Sequence, residues 1–448
     1  MNFRTTVIVG ILLALLGAYV YFFEIKGAEK KKEQEEKSKT LLEIKKEDVA
    51  SLKLQSAAQT IELRPSGKDA WEIAAPLKAR ADDSTVGRIL EGLAKVQYKD
   101  VVEEKPADLS QFGLDHPATS ITVSLKAGGG KSIYFGGKNP VANVYYCRID
   151  KDPRVYTVES TVADSAATTL FDLRDKKLTD ITADKIESFS LRTPKLQLQF
   201  KKESGVWNMI QPVASPAADS EISSFLSSLE YLRATSFEDQ PSPDLKTYGL
   251  AEPSAIVELT LGKGLHQKIS FGSKAASDIY CMVEGNPVVA KVNDAFSAEF
   301  DKPVESWREK KLLVFNRFDV EEFRAKSGGK EYVFKKGKEE KWRQESPAKG
   351  EAPEDKIQGI LEKLENAEID HYGDTPAIAG APGLEISLTL KDWQNNVTKK
   401  HLAFGAVEGN LQAVKNDDYS TVVYASGATQ VEIAKALAEI KPAPPAKK

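Results

Sequence analysis

Residues Trp71–Pro76 read WEIAAP, Trp207–Pro212 read WNMIQP and Trp342–Pro347 read WRQESP, so one tryptophan-to-proline string returns at intervals of 136 and 135 residues. Self-similarity at a fixed period marks one structural unit copied in tandem. A second marker keeps step: IYFGG at Ile133–Gly137, ISFGS at Ile269–Ser273 and LAFGA at Leu402–Ala406. Between the two, Phe112-Gly113-Leu114 followed by Pro117 matches Tyr248-Gly249-Leu250 followed by Pro253. The third copy offers Tyr372-Gly373 and then an expanded GDTPAIAGAPGL. The openings agree as well, LLEIKKEDVASL from Leu41, LTDITADKIESF from Leu178 and LLVFNRFDVEEF from Leu312. These matches place three units at 41–177, 178–311 and 312–440. Three is also the number that a chain of 448 residues predicts at about 150 residues per domain. Units of this length exceed solenoid repeats, so each is expected to hold its own core.

Within a unit the hydrophobic pattern has mostly period two. In the first, Ala50–Leu54, Thr60–Leu63, Ala70–Ile73, Ser120–Leu125, Ser132–Phe135, Val144–Ile149 and Val155–Val158 read as strands. Asp83–Val96 has helical spacing instead, with Val86, Ile89, Leu90 and Leu93 on one stripe and Asp82, Asp83 or Ser84 as cap. Ser160–Leu170 forms a weaker second helix. In the second unit Ser220 is the expected cap for a helix carrying Ile222, Phe225, Leu226 and Leu229. The third repeats the stripe at Ile357, Ile360, Leu361 and Leu364. Hairpin turns fall at Gly128–Gly130, Gly262–Gly264 and Asp392–Asn396, and strands joined this tightly are antiparallel. The expected fold class is α+β: three tandem homologous domains, each a mostly antiparallel sheet with about two helices, behind an N-terminal transmembrane helix.

That helix is read from Val7–Phe23, VIVGILLALLGAYVYFF, seventeen residues without a charge. At about 1.5 Å per residue the run nearly spans a hydrocarbon core of about 30 Å. Its aromatic end lacks the small residues of a cleavage site, so an uncleaved anchor is expected over residues 1–25. A charged spacer follows at 26–40, and the tail 441–448, KPAPPAKK, reads as a flexible end. The expected location is the inner membrane, single-pass, with the bulk of the chain on the periplasmic side.

Composition removes most chemistry. Lys and Arg number 62 against 66 Asp and Glu, a net charge of -4, so no basic field exists for a nucleic-acid backbone. Two cysteines and four histidines leave little for a disulfide framework or a metal site. AGGGKS at Ala127–Ser132 resembles the tail of a phosphate-binding loop, but Leu125 stands where that motif needs its first glycine. Cys147 and Cys281 occupy matching positions, with Ala413 in the third copy, and read as a small core slot rather than nucleophiles. His116 and His371 are the conspicuous acid-base candidates and read as surface residues. No catalytic, cofactor-binding or metal-binding residue is assigned.

One charged string recurs at the junctions between units, Leu173-Arg174-Asp175-Lys176-Lys177 and Trp307-Arg308-Glu309-Lys310-Lys311. Arg174, Lys176, Lys177, Arg308, Lys310 and Lys311 are therefore the candidate residues, read first as a domain joint and second as a basic patch for an acidic partner or lipid headgroups.

A single N-terminal span, a charged spacer, and copies carrying W-x-I-x-x-P, [FY]-G-L and [IL]-x-F-G together resemble a bacterial domain-of-unknown-function family of repeat-containing envelope proteins. Its members are often encoded beside gliding-motility-type ABC transporters. The resemblance implies an envelope location and association with an ABC export system or other envelope components, and it carries over no functional residue. The expected function is a non-enzymatic accessory or scaffold, with a glycan- or peptide-binding module as the alternative.

Overall fold

The computed structural model describes residues 37–443, apart from 141, 338, 339 and 376. The chain forms two compact units, one ending at Lys176 with the first repeat and one beginning at Lys177 with the second and third.

Each repeat is built on a nine-stranded sheet in which every pairing is antiparallel. In the first the strands lie in the order Ala79–Arg80, Trp71–Ala75, Thr60–Pro65, Val49–Ser56, Thr119–Leu125, Gly130–Lys138, Val144–Ile149, Val155–Glu159 and Val101–Glu103. Two four-stranded meanders thus meet along Val49–Ser56 and Thr119–Leu125, and the last strand in space comes from the long connection between them. The second repeat has the same order from Ser215–Pro216 through Ile186–Arg192 and Ala255–Leu261 to Ser236–Phe237, and the third from Gly350–Glu351 through Val320–Ser327 and Leu384–Lys391 to Ile369–Tyr372. Edge strands of two to four residues leave little unpaired backbone for another chain to join.

The connection between meanders carries a helix that covers one face: α1 (Asp83–Ala94) in the first repeat, and Asp219–Glu230 and Glu354–Asn366 in the others. Their apolar stripes, such as Val86, Ile89, Leu90 and Leu93, enter the core under the sheet. Each repeat has one such core, and its marker tryptophan, Trp71, Trp207 or Trp342, is at most 4% exposed. The marker string ends on a cis X-Pro peptide in all three. Asp82 caps α1 by accepting the Thr85 N–H at 2.8 Å, whereas Asp219 lies inside its helix behind Ala218, and Ser220 is not a cap.

The α+β expectation needs correcting. The sheets dominate, and the second helix of a repeat is inconstant. It is α2 (Ser160–Ala166) and the one-turn α3 (Leu170–Leu173) in the first repeat, 3-10 turns at Asp294–Asp301 and Val304–Trp307 in the second, and a 13-residue helix, Gly427–Glu439, in the third. Among the described residues no helix is long and apolar enough to cross a membrane. The longest have 13 residues, about 20 Å of rise against a hydrocarbon core of about 30 Å. The stretch Val7–Phe23 lies outside the described residues, as do most of the spacer and residues 444–448. The transmembrane helix and the single-pass inner-membrane location that rested on it are accordingly set aside.

The second marker explains itself through the backbone. Gly113 and Gly249 close 3-10 turns in the left-handed region, each at φ 67°. Those turns lay Phe112 and Leu114, or Tyr248 and Leu250, against the sheet face opposite the main core. A Cβ on Gly136 or Gly272 would stand 2.1 Å from the Phe112 or Tyr248 carbonyl oxygen, so the Phe-Gly pair needs its glycine for close approach. Tyr372-Gly373 is not the third member of this set. Tyr372 ends a strand, the left-handed glycine of the expanded loop is Gly380, and Ile378 lies against Gly405.

Candidate functional site

The recurrent charged strings sit where each repeat closes. Arg174 pairs through its backbone with Ala81, and Arg308 does the same with Ala217, so the chain leaving a repeat binds the segment just before that repeat's first helix. In the third repeat Ala443 makes the equivalent pair with Glu351. Arg174 and Arg308 are 6% and 5% exposed, which places both guanidinium groups out of solvent. Lys176 lies over the Phe171 ring at 4.5 Å, and Lys177 is exposed and pairs with Arg233 through the backbone.

Around Arg308 the surroundings come from both the second and the third repeat. Its guanidinium lies 3.2 Å from the centroid of the Tyr372 ring, and its Nε donates to Ser215 Oγ at 3.1 Å. Its Nη2 is buried with no hydrogen-bond partner among the described residues. The Tyr372 hydroxyl donates to the Glu309 carbonyl, Tyr419 donates to the Lys311 carbonyl at 2.8 Å, and Ser420 Oγ donates to the Ala214 carbonyl at 2.7 Å. Lys311 Nζ donates to the Glu365 carbonyl at 3.0 Å, while Lys310 is exposed. Burial holds the Arg308 pKa below its ordinary value and raises those of Tyr372 and Tyr419. A cation stacked on a desolvated ring is worth about 2 kcal/mol, which exposed ion pairs rarely reach. Sequence reading found Arg308 and missed Tyr372, whose Tyr372-Gly373 imitates the [FY]-G-L marker, and also Tyr419 and Ser215, which reach the joint only through tertiary contacts. The bridge between Lys311 and Glu368 that brings Tyr372 to the joint forms only in the folded chain.

Beside this joint is a hollow of about 490 Å³ lined by Asp219, Glu221, Lys310, Lys311, Phe315 and Glu365 among others. Two of its carboxylates are paired with cations outside the lining: Lys302 holds the Glu221 carboxyl below the usual range, and Arg317 pairs with Glu365 at 3.6 Å. A second concavity lies on the solvent face of the second sheet. There two adjoining hollows of about 630 and 440 Å³ share Lys268 and Glu284; Leu250, Pro253 and Met282 lie at one end and Ser190, Gln199 and Thr260 at the other.

The remaining candidates take structural places. Lys131 of the glycine-rich string donates to the Leu41 carbonyl at 2.9 Å, and Gly128 and Gly129 form the turn itself. His116 is exposed in the first unit; His371, in the second, stacks on Tyr424 at 4.4 Å and contacts Asp370 at 2.8 Å. Among the described residues no group of three or more His, Cys, Asp or Glu is placed to hold a metal ion.

Cys147 and Cys281 are free, fully buried thiols that pair across the sheet with Phe135 and Phe271. The matching partner of Phe404 is Val414, so the core slot reads Cys, Cys, Val, and Ala413 is one residue out of phase on the opposite face. Burial pushes the Cys147 pKa up to about 12 and that of Cys281 in the same direction. With the thiolate suppressed, neither cysteine should react with Ellman's reagent in the native chain, and both should react on unfolding in urea. Prompt native labelling would show an opening that the packing does not contain.

Sheet, core and joint together define a tandem-repeat protein of antiparallel sheets, two of whose repeats are fused through a buried arginine. The chain belongs to the family described as "Domain of unknown function (DUF4340)", which it matches over residues 71–210 and again over 207–385. Both matches start at a marker tryptophan, 136 residues apart, and each runs from one sheet into the next. No curated protein sequence matches the chain. Among solved structures, the crystal structure of the DNA polymerase III subunit beta from Pseudomonas aeruginosa is matched at 8% identity over 84% of this chain and 91% of that one. The TM-score is 0.18, too low to carry any argument.

Proposed function

We propose that the protein is a non-enzymatic accessory or scaffold of a larger protein assembly, with an ABC transport system of the gliding-motility type as the specific candidate. The observation that carries this reading is the joint. A scaffold must hold its modules in one arrangement, and the second and third repeats are tied by a buried Arg308–Tyr372 stack and by hydrogen bonds from Tyr372, Tyr419 and Ser420. The transporter assignment has only the sequence resemblance behind it. Chemical cross-linking in intact cells followed by affinity purification should recover a small set of partners in fixed ratio, transporter subunits among them. A chain that always purifies alone would remove the reading.

A second reading, a glycan- or peptide-binding module, is favoured by the paired hollows on the second sheet. Their hydroxyl and amide groups at one end and apolar groups at the other suit a polyhydroxylated or peptide ligand. Titration of the protein with cell-wall oligosaccharides and muropeptides should perturb residues around Lys268. No change at saturating ligand would dispose of it.

A further inference from the structure

At one end of each sheet the first central strand begins beside the tip of a hairpin. Val49 pairs with Leu125, Ile186 with Leu261 and Val320 with Leu390, so the three ends are in equivalent register. Two residues before each of these strand starts, in a 3-10 turn, stand Glu47, Asp184 and Phe318. The neighbouring hairpin tips hold Gly128 and Gly129, then Gly262–Gly264, then Trp393. The first two repeats thus present acids and glycines where the third presents two aromatic rings. Phe318 is 64% exposed, Trp393 is 87% exposed, and Val397, at the foot of the same hairpin, is 62% exposed.

The tip is held in shape. Asp392 accepts the N–H groups of Gln394 at 2.9 Å and Asn396 at 2.8 Å and the Asn396 side-chain amide at 2.8 Å, and Asn395 adopts a left-handed φ of 66°. Hydrogen bonding from Asn396 lowers the Asp392 pKa, so the carboxylate that fixes the turn stays ionised. Lys391 and Lys399 flank the tip; both are exposed, and neither has an ion-pair partner among the described residues. This end of the third repeat therefore sets two large apolar rings beside two exposed ammonium groups that make no ion pair among the described residues, while the one carboxylate of the tip, Asp392, is turned into its own loop by three hydrogen bonds.

We propose that the Trp393–Phe318 end of the third repeat is a docking surface for an anionic lipid bilayer. An indole and a phenyl ring carried beyond a rigid turn match the headgroup depth, where amphipathic rings settle, and the flanking ammonium groups face lipid phosphates. A peripheral contact of this kind needs no membrane-crossing segment. It also stands apart from the scaffold reading, since neither the Arg308 joint nor a protein partner enters it.

Tryptophan emission provides the test. The other four tryptophans, Trp71, Trp207, Trp307 and Trp342, are at most 4% exposed, so the solvent-sensitive emission belongs to Trp393. Residues 1–36 contain no tryptophan, and whatever they contribute to sedimentation is silent in this signal. The full-length protein is mixed with vesicles of phosphatidylglycerol and phosphatidylcholine carrying a brominated chain. Emission should shift to the blue and be quenched, and phosphatidylcholine alone should be roughly tenfold less effective. Phe318→Asp should weaken the titration roughly tenfold, Lys391→Gln with Lys399→Gln should abolish the preference for anionic lipid, and Trp393→Ser should remove the shift. All four side chains are exposed, so melting should be unchanged in each variant. Three results would overturn the proposal: sedimentation with vesicles without quenching, quenching indifferent to Phe318→Asp, or a blue shift that depends on protein concentration and not on lipid, the last marking a second copy as the occupant.

Discussion

Gly272→Ala should be among the most damaging single-methyl changes the protein can suffer. The added Cβ would lie 2.1 Å from the Tyr248 carbonyl oxygen and 3.1 Å from Leu250 Cγ, and the first of these is backbone that cannot swing aside. Relief requires lifting the Tyr248-Gly249-Leu250 turn off the sheet, which exposes the small cluster of Tyr248, Leu250 and Val289. Overpacking of this kind costs about 3 kcal/mol, a large fraction of the stability of an ordinary domain. Gly136→Ala should behave alike in the first repeat, where the Phe112 oxygen is again 2.1 Å away. Two controls grade the argument. At Gly405 the nearest atom is 3.2 Å away, because the third repeat lacks the turn, and alanine there should cost under about 1 kcal/mol. Gly87, on a helix with nothing within 4 Å, should gain about 0.5–1 kcal/mol from alanine. Urea unfolding of the full chain reads all four; equal losses at Gly272 and Gly405 would sink the account of close approach.

The second large effect belongs to Arg308. Arg308→Ala removes the stack on Tyr372, empties the space between two repeats and leaves Ser215 Oγ without its donor, an expected loss of about 3 kcal/mol. Arg308→Met keeps most of the volume and abolishes a buried charge whose Nη2 has no partner, so its loss should stay under about 1 kcal/mol. If methionine costs as much as alanine, the cation rather than the filling holds the joint. If alanine costs nothing, the joint does not hold the repeats at all. The same place gives a pH dependence. Tyr372 and Tyr419 have folded pKa values raised above the ordinary 10.0, chiefly by burial. A raised folded pKa means stability that is complete below the unfolded value and declines as pH rises beyond it. The unit from Lys177 onward should therefore lose stability as pH climbs past about 10, and Tyr372→Phe with Tyr419→Phe should flatten that decline.

The joint also shows what a linear reading can and cannot reach. Arg308 was visible because its string repeats at Arg174, which is a property of the sequence compared with itself. Tyr372 was not, because its role depends on a partner 64 positions away and on the strand order that places Ile369–Tyr372 at the edge of the third sheet. Cys147, Cys281 and Ala413 made the same error on a smaller scale. The sequence match set Ala413 beside the two cysteines, but strand parity puts Val414 opposite Phe404, and a shift of one residue moves a side chain to the other face.

Alternation of period two, tight turns and the returning Trp-x-x-x-x-Pro string were enough, by themselves, to determine tandem units built on antiparallel strands, since each of those signals is carried by residues close together in the chain. Only the tertiary structure decided that two meanders join into one nine-stranded sheet, that helices are a minor cover rather than half the fold, and that a buried arginine fuses two repeats. Those depend on pairings between residues tens of positions apart, and among distant partners the choice is made by which faces can be buried together, a quantity that no local pattern contains.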